Sequence, residues 1–191
     1  MKTITKFWAI IIAFNALFSC ANEDQGKLDL GQANILISPQ INSPIRETAE
    51  EILVEEIEKR TALHLKVADK WEGNTTIALA LENDIELFGK KLPLKSNSVP
   101  ENLKAEGYRI YHEKEGNQNT IWILGADTRG ILFGVGKLLR MANMKEGEIT
   151  IKSAIDFSEA PEYPLRGHQF GFRNTANSWD AWTVEQFDQH F

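Results

Sequence analysis

The sequence predicts an α/β protein of the α+β two-layer type: a mixed sheet with two helices on one face, followed by a strand and helix that open a further unit. Three observations carry that reading. Short apolar runs of strand length are interleaved with two segments whose apolar residues recur every three or four positions. Two of the runs are joined by a polar, glycine-containing turn, the mark of a hairpin. The stretch Ser158-Glu-Ala-Pro-Glu-Tyr-Pro164, with two prolines, then separates this pattern from a later strand, loop and helix.

Taken in order, residues 34–38 (Asn-Ile-Leu-Ile-Ser) read as a buried strand. Ser43 stands where a helix needs an N-cap, with Pro44 at the first helical position, where its missing N–H costs nothing. The helix that follows places Ile45, Ala49, Ile52, Leu53 and Ile57 on one face. Glu55 with Lys59 and Glu56 with Arg60 are neighbours one turn apart, and both bases suit the negative end of the helix dipole. The acidic run over 47–58 reads as solvated surface. Strands are expected over 63–67 and 75–81, the second alternating Ile77, Leu79 and Leu81 with Ala78 and Ala80. Residues 84–99 read as an irregular loop.

The hairpin pairs Gly107-Tyr-Arg-Ile-Tyr-His112 with Thr120-Ile-Trp-Ile-Leu-Gly125 across the polar residues 113–119. Asp127 or Thr128 can cap a second helix, which presents Ile131, Leu132, Val135, Leu138 and Leu139 on one face. Gly130, Gly134 and Gly136 lie within it, each costing about 1 kcal/mol against alanine. A helix that tolerates them is predicted to lie close against the sheet. Residues 148–152 (Glu-Ile-Thr-Ile-Lys) supply one more strand, and no internal repeat is evident.

The N-terminus reads as an export signal. Lys2 and Lys6 precede an apolar run over 7–18 that is too short to span a bilayer. It ends in Leu17-Phe-Ser-Cys20, which resembles the lipobox of bacterial lipoproteins, so Cys20 is the expected lipidation site; the alternative is an ordinary cleavage site nearby. Residues 1–19 are then the signal peptide and residues 20–31 a polar tether. The expected location is on an exported face of a bacterial membrane, periplasmic or cell-surface, held by the lipid anchor.

Composition excludes several classes. The net charge is −6, and loss of the first nineteen residues, which hold two lysines and no acid, makes it −8. Without clustered bases, nucleic acid is not an expected partner. A single cysteine rules out an internal disulfide framework. The glycines from Gly125 to Gly136 match neither phosphate-binding spacing: Gly136-Lys137 is followed by Leu138, and Gly134-x-Gly136 by Leu139. His64, His112, His168 and His190 are scattered, so no metal or cofactor is expected, and His112 reads as a strand-end surface residue. No Gly-x-Ser-x-Gly elbow is present.

The polar residues that remain lie near the end of the chain. Pro164-Leu-Arg-Gly-His-Gln-Phe-Gly-Phe-Arg173 reads as a strand, residues 174–180 as a polar loop and residues 183–191 as the start of a helix inside which the sequence stops. Arg166, His168 and Arg173 stand among Phe170, Phe172, Trp179 and Trp182. Polar groups beside aromatic rings suit a sugar, whose hydroxyls need hydrogen-bond partners and whose C–H faces stack on rings. The same residues also fit a bland reading, in which the rings fill a core and Arg166 pairs with an acid.

Two segments together resemble a known domain. Gly107-Tyr-Arg-Ile, followed by Ile121-Trp-Ile-Leu-Gly-Ala-Asp-Thr-Arg-Gly-Ile-Leu-Phe-Gly-Val135, is similar to the N-terminal, non-catalytic domain shared by α-glucuronidases and β-N-acetylhexosaminidases ahead of a (β/α)₈ barrel. Glu56-Ile-Glu-Lys-Arg-Thr61 belongs to the same pattern, with Ala62 where relatives often carry glycine. The resemblance implies an accessory domain over 32–157, a linker over 158–164 and the first βα unit of a truncated TIM barrel over 165–191. Leu165-Arg166-Gly167 looks like the start of the first barrel strand of the hexosaminidases, where Arg166 would bond sugar hydroxyls; a planar guanidinium reaches two at once. The segment from His168 to Trp182 looks closer to α-glucuronidase-like lipoproteins. The implied function is the N-terminal part of an exported glycoside hydrolase acting on a polysaccharide of xylan type. The implied alternatives are a hexosaminidase-like hydrolase or a surface lipoprotein that binds glycans without cutting them. Glycosidase carboxylates in these families sit on later barrel strands, so no catalytic residue is expected within the chain.

Overall fold

Strands form where β-branched and aromatic residues run together, and helices where Ala, Leu, Glu and Lys dominate. A computed structural model describes residues 26–92, 103–167 and 183–190. It divides into two units, Met1–Pro161 and Glu162–Phe191. The first contains, in order, β1 (Lys27–Asp29), β2 (Asn34–Ile37), α1 (Ile45–Thr61), β3 (Lys66–Ala68), β4 (Thr75–Leu81), β5 (Glu86–Leu87), β6 (Lys90–Lys91), β7 (Tyr108–Glu115), β8 (Gln118–Gly125), α2 (Thr128–Met141), β9 (Asn143–Lys145), β10 (Glu148–Lys152) and β11 (Asp156–Glu159).

Six strands make the main sheet in the order β11-β7-β8-β4-β2-β3. The pairs β2–β3, β2–β4 and β4–β8 are parallel, whereas β7 runs antiparallel to both β8 and β11. The sheet is therefore mixed, as expected. Strand alternation sorts its side chains between two faces. Ile35, Ile37, Ile77, Leu79, Ile121 and Ile123 share one core with Ala49, Leu53 and Ile57 of α1 and Ile131, Val135 and Leu138 of α2. Both helices thus lie on one face. Leu36, Ala78, Ala80, Trp122 and Leu124 point the other way and pack with Leu87 of the β5–β6 hairpin. The bulky and small faces expected of residues 75–81 are these two faces.

The helix α2 shows why its glycines are there. Asp127 is the N-cap: its Oδ1 accepts the Gly130 N–H at 2.9 Å, while Oδ2 accepts the Glu106 N–H at 2.7 Å. One carboxylate therefore fixes both the helix start and the loop entering β7. A Cβ on Gly130 would run into the backbone oxygen of Gly107, and one on Gly134 into the side chain of Ile123. Gly136 differs, because a Cβ there would meet only the flexible end of Arg140, at 3.4 Å. Close approach explains two of the three glycines.

Several expectations need correction. Residues 27–30, read as part of a flexible tether, belong to the fold: β1 pairs antiparallel with β10, and Leu28 and Leu30 are buried. β10 itself lies in a separate three-stranded sheet, β1-β10-β9, rather than in the main one. The linker expected over 158–164 starts later, because Ser158 and Glu159 pair with Arg109 and Tyr108. Ile52 is 39% exposed, since the buried stripe of α1 runs through Ala49, Leu53, Ile57 and Thr61 instead. Pro44, not Ser43, occupies the N-cap position, and the Ser43 hydroxyl donates to Glu47. Arg60 pairs with Glu56 as expected, whereas Lys59 also approaches Glu56, at 3.9 Å, rather than Glu55. Of the strand expected over 63–67 only Lys66 and Val67 are extended, within β3, and the irregular stretch contains the β5–β6 hairpin. Residues 93–99 of that stretch lie outside the described residues.

In the second unit, residues 162–167 carry no strand, and the rest of the strand expected over 164–173 lies outside the described residues. Helix α3 (Val184–His190) forms where expected. Its start is a reciprocal cap: Gln186 Oε1 accepts the Thr183 N–H at 2.8 Å, and Thr183 Oγ1 accepts the Gln186 N–H at 3.4 Å.

Helix α1 ends at Ala62 in the left-handed region, with φ 58°, and the Ala62 N–H donates to Glu58 O at 2.7 Å. A side chain with a Cβ is strained there, and glycine is not. Ala62→Gly is expected to raise unfolding stability by about 0.5–1 kcal/mol, read by urea denaturation. A loss of stability would contradict the left-handed cap.

Candidate functional site

Strand β7 reads Tyr111-His112-Glu113-Lys114-Glu115, so the period of two sends acids one way and bases the other. On the face away from the helices, Tyr111 stands directly opposite Trp122 of β8. The Trp122 indole N–H donates to Glu113 Oε2 at 3.0 Å, and the Tyr111 hydroxyl lies 3.4 Å from Glu113 Oε1. Strand β6 lays Lys90 over this group. Its ammonium is 2.8 Å from Glu113 and 3.0 Å from Glu115, off hydrogen-bond alignment, and it sits over the rings of Trp71 and Trp122 at 5.1 and 5.9 Å. Trp71 closes the hairpin by donating its indole N–H to Leu87 O at 2.8 Å.

Burial opposes ionisation of Glu113, but Lys90 and the Trp122 N–H outweigh it and hold the carboxyl below its ordinary range. Burial likewise opposes the Lys90 charge, yet Glu113 and Glu115 push its pKa up. Burial and the nearby Glu113 carboxylate push the Tyr111 hydroxyl up. Trp122 is fully buried and its indole N–H is engaged by Glu113. The cluster is a lock that fastens the β5–β6 hairpin to the sheet.

Around α2, Glu159 accepts from the Tyr108 hydroxyl and from Lys137, the latter at 2.7 Å. These partners hold its carboxyl below the ordinary range, Lys137 foremost. Arg109 Nε donates to Asp156 at 2.9 Å. Both contacts tie the edge strand β11 to the domain. His112 is not a strand-end surface residue. It is half-buried within β7, with Nδ1 donating to Ser153 O at 2.7 Å and Nε2 3.0 Å from Asn119 Oδ1.

Of the site residues expected from the sequence, Arg166 is exposed and its Nη1 donates to Tyr163 O at 2.8 Å. His168, Arg173 and Cys20 lie outside the described residues, so no constellation of the three sugar-binding candidates can be drawn. Among the described residues, no three His, Cys, Asp or Glu side chains converge on a metal position, and no helix is long and apolar enough to cross a membrane. The Lys90–Glu113–Trp122 lock was missed in the sequence because Lys90 lies in a stretch without periodicity. The alternation of Tyr111 with Glu113 on β7 was the available signal.

The family profile described as glycosyl hydrolase family 20, domain 2, matches residues 20–155, more than half of the chain. The chain belongs to this family. Its first unit is the accessory α/β domain of such glycoside hydrolases, built on the mixed sheet described above. No curated protein sequence matches the chain. Similar solved structures include a GH20 exo-β-N-acetylglucosaminidase from Vibrio harveyi, at 13% identity and a TM-score of 0.46, covering 72% of this chain and 17% of that one. A GH20 β-N-acetylhexosaminidase from Streptomyces coelicolor A3(2) has 15% identity and a TM-score of 0.47 over 73% and 24% of the two chains. A GH115 4-O-methyl-α-glucuronidase with specificity for decorated arabinogalactans has 14% identity and a TM-score of 0.49 over 71% and 18%. The chain therefore spans between 17% and 24% of the length of these three relatives.

Within the family 20 domain, the lock makes stability depend on pH at both ends. The lowered pKa of Glu113 gives stability that is present above its ordinary value of 4.5 and is lost as pH falls through the folded value. The raised pKa of Lys90 gives stability that is present below 10.5 and is lost as pH rises through its folded value. Lys90→Met is expected to cost about 1–2 kcal/mol at neutral pH and less in acid, where Glu113 is protonated in both proteins. Chemical denaturation across pH measures this, and a pH-independent difference would contradict the pairing.

Proposed function

We propose that this chain is the N-terminal part of an exported glycoside hydrolase acting on polysaccharide. In this reading the family 20 domain 2 is its accessory domain and residues 165–191 begin a (β/α)₈ catalytic barrel. The observation that carries it is the order along the chain: the family match ends at residue 155, and Leu165-Arg166-Gly167 follows a proline-rich connection directly afterwards. Arg166 would donate to adjacent sugar hydroxyls in the cleavage subsite, with His168 and Arg173 beside it. Cys20 would carry the lipid anchor, which leaves only a short tether before β1. The phenylalanine-rich segment after Gly167 supports an α-glucuronidase-like substrate, a uronate-bearing glycan of xylan type.

A second substrate class has its own support. The family name itself, together with Leu165-Arg166-Gly167, favours a β-N-acetylhexosaminidase-like hydrolase. Both readings place the catalytic carboxylates on barrel strands beyond residue 191.

Turnover assays test both readings. The chain alone is expected to release no sugar from nitrophenyl N-acetyl-β-glucosaminide or from a glucuronic-acid-substituted xylo-oligosaccharide; release of either would refute the assignment of the carboxylates. A protein extended through a complete barrel is expected to cleave the uronate substrate, and cleavage of the N-acetylglucosaminide instead would install the second reading. In the active extended protein, Arg166→Ala is expected to lower kcat/KM by about 10- to 100-fold through loss of charge-assisted hydrogen bonds. An unchanged kcat/KM would remove Arg166 from the subsite.

A further inference from the structure

The charge sorting on β7 leaves one side unbalanced. Glu113 and Glu115 face away from the helices and find their cation in Lys90. Lys114, with His112 on the same strand face, points to the other side, into an open cleft of about 410 Å³ between the β7–β8 hairpin and the small sheet. Lys27, Asn119, Ser153 and Ala154 line the same cleft, and no acid does. Among the described residues neither Lys27 nor Lys114 has an ion-pair partner.

A second observation adds to the imbalance. Lys27 of β1 stands directly across the antiparallel ladder from Lys152 of β10. Like charges directly opposite each other are destabilising. The acids Asp29 and Glu148 lie with Lys27 on a neighbouring cleft rather than on this one. Asp29 accepts the Gly31 N–H at 2.8 Å, and Glu148 pairs with Lys145 at 2.9 Å. A chain with net charge −6 therefore lines this concavity with two lysines and a histidine and no acid.

We propose that this cleft binds the carboxylate of an anionic sugar, a hexuronate residue of the glycan, between Lys27 and Lys114, with Asn119 available to a ring hydroxyl. The site lies on the accessory domain and so holds the polymer rather than cuts it. The sugar part of the proposal rests on the polysaccharide reading above; the anion part rests on the cleft alone. The concave form favours a saccharide over a flat anionic surface.

The test is amide NMR on the full chain in zwitterionic detergent. Sodium D-glucuronate is expected to shift the amides of Lys27, His112, Lys114, Asn119 and Ser153 saturably, and D-glucose is expected to shift none. Raised salt should weaken the response. Lys27→Gln with Lys114→Gln should weaken binding by about tenfold or more. Both side chains are exposed, so unshifted amides in β4 and α2 verify that the variant keeps its fold. Equal response to glucose, saturation by sulfate as readily as by glucuronate, binding only to phosphatidylglycerol vesicles, or undiminished binding in the double variant would each overturn the proposal. Glycosidase activity of an extended protein with no glucuronate binding here would overturn this site alone. Binding here without any uronidase activity would overturn the substrate reading instead.

Discussion

The accessory domain depends on how closely one helix can approach its sheet. Gly107, Gly125 and Gly130 bring the residue before β7, the end of β8 and the first turn of α2 within backbone contact: a Cβ on Gly125 would collide with backbone of Asp127 and Ile131, and one on Gly130 with the Gly107 oxygen, while one on Gly107 would meet Lys104 O of its own turn. The Ala126 N–H donates to Gly107 O at 2.9 Å, and Asp127 joins Glu106 to Gly130 through its two oxygens. Gly134 continues the contact one turn later, against Ile123. With α2 seated this way, Ile131, Val135 and Leu138 reach the core that α1 shares. A glycine cluster that suggests phosphate binding by composition is thus a packing device.

The second organising constraint is strand alternation. On β4 it separates isoleucine and leucine from alanine, so the helix side is filled by bulk and the opposite side leaves room for Trp122 and Leu87. On β7 it separates acids from bases. Lys90 pairs with both acids and, with two tryptophans, covers Glu113, which makes that part of the face structural. The bases His112 and Lys114 line an open cleft on the opposite face.

Much of this was legible in the residues. Residues 75–81 and 148–152 announced their strands by alternation, and Asp127 announced its helix by capping chemistry. What stayed hidden had physical reasons. Lys27-Leu28-Asp29 is too short and polar to show a period, and only its pairing with β10 makes it a strand. The β5–β6 hairpin has two residues per strand, below the length at which alternation registers. Ile52 fits the helical spacing equally well on paper, but the face of α1 that packs against the sheet runs through Ala49, Leu53 and Ile57. His112 is defined by Ser153, a partner 41 residues away. Of the sugar-binding candidates, Arg166 alone falls within the described residues, and its role depends on neighbours that spacing cannot supply.

The close seating of α2 is tested most directly by comparing alanine at its three glycines in one denaturation series. Gly130→Ala and Gly134→Ala are expected to destabilise the domain by about 1–3 kcal/mol each, because the added methyl meets Gly107 backbone or Ile123. Gly136→Ala is expected to be neutral or to stabilise by up to about 1 kcal/mol, because only the end of Arg140 is near and helix propensity improves. Equal effects at all three positions would contradict the account.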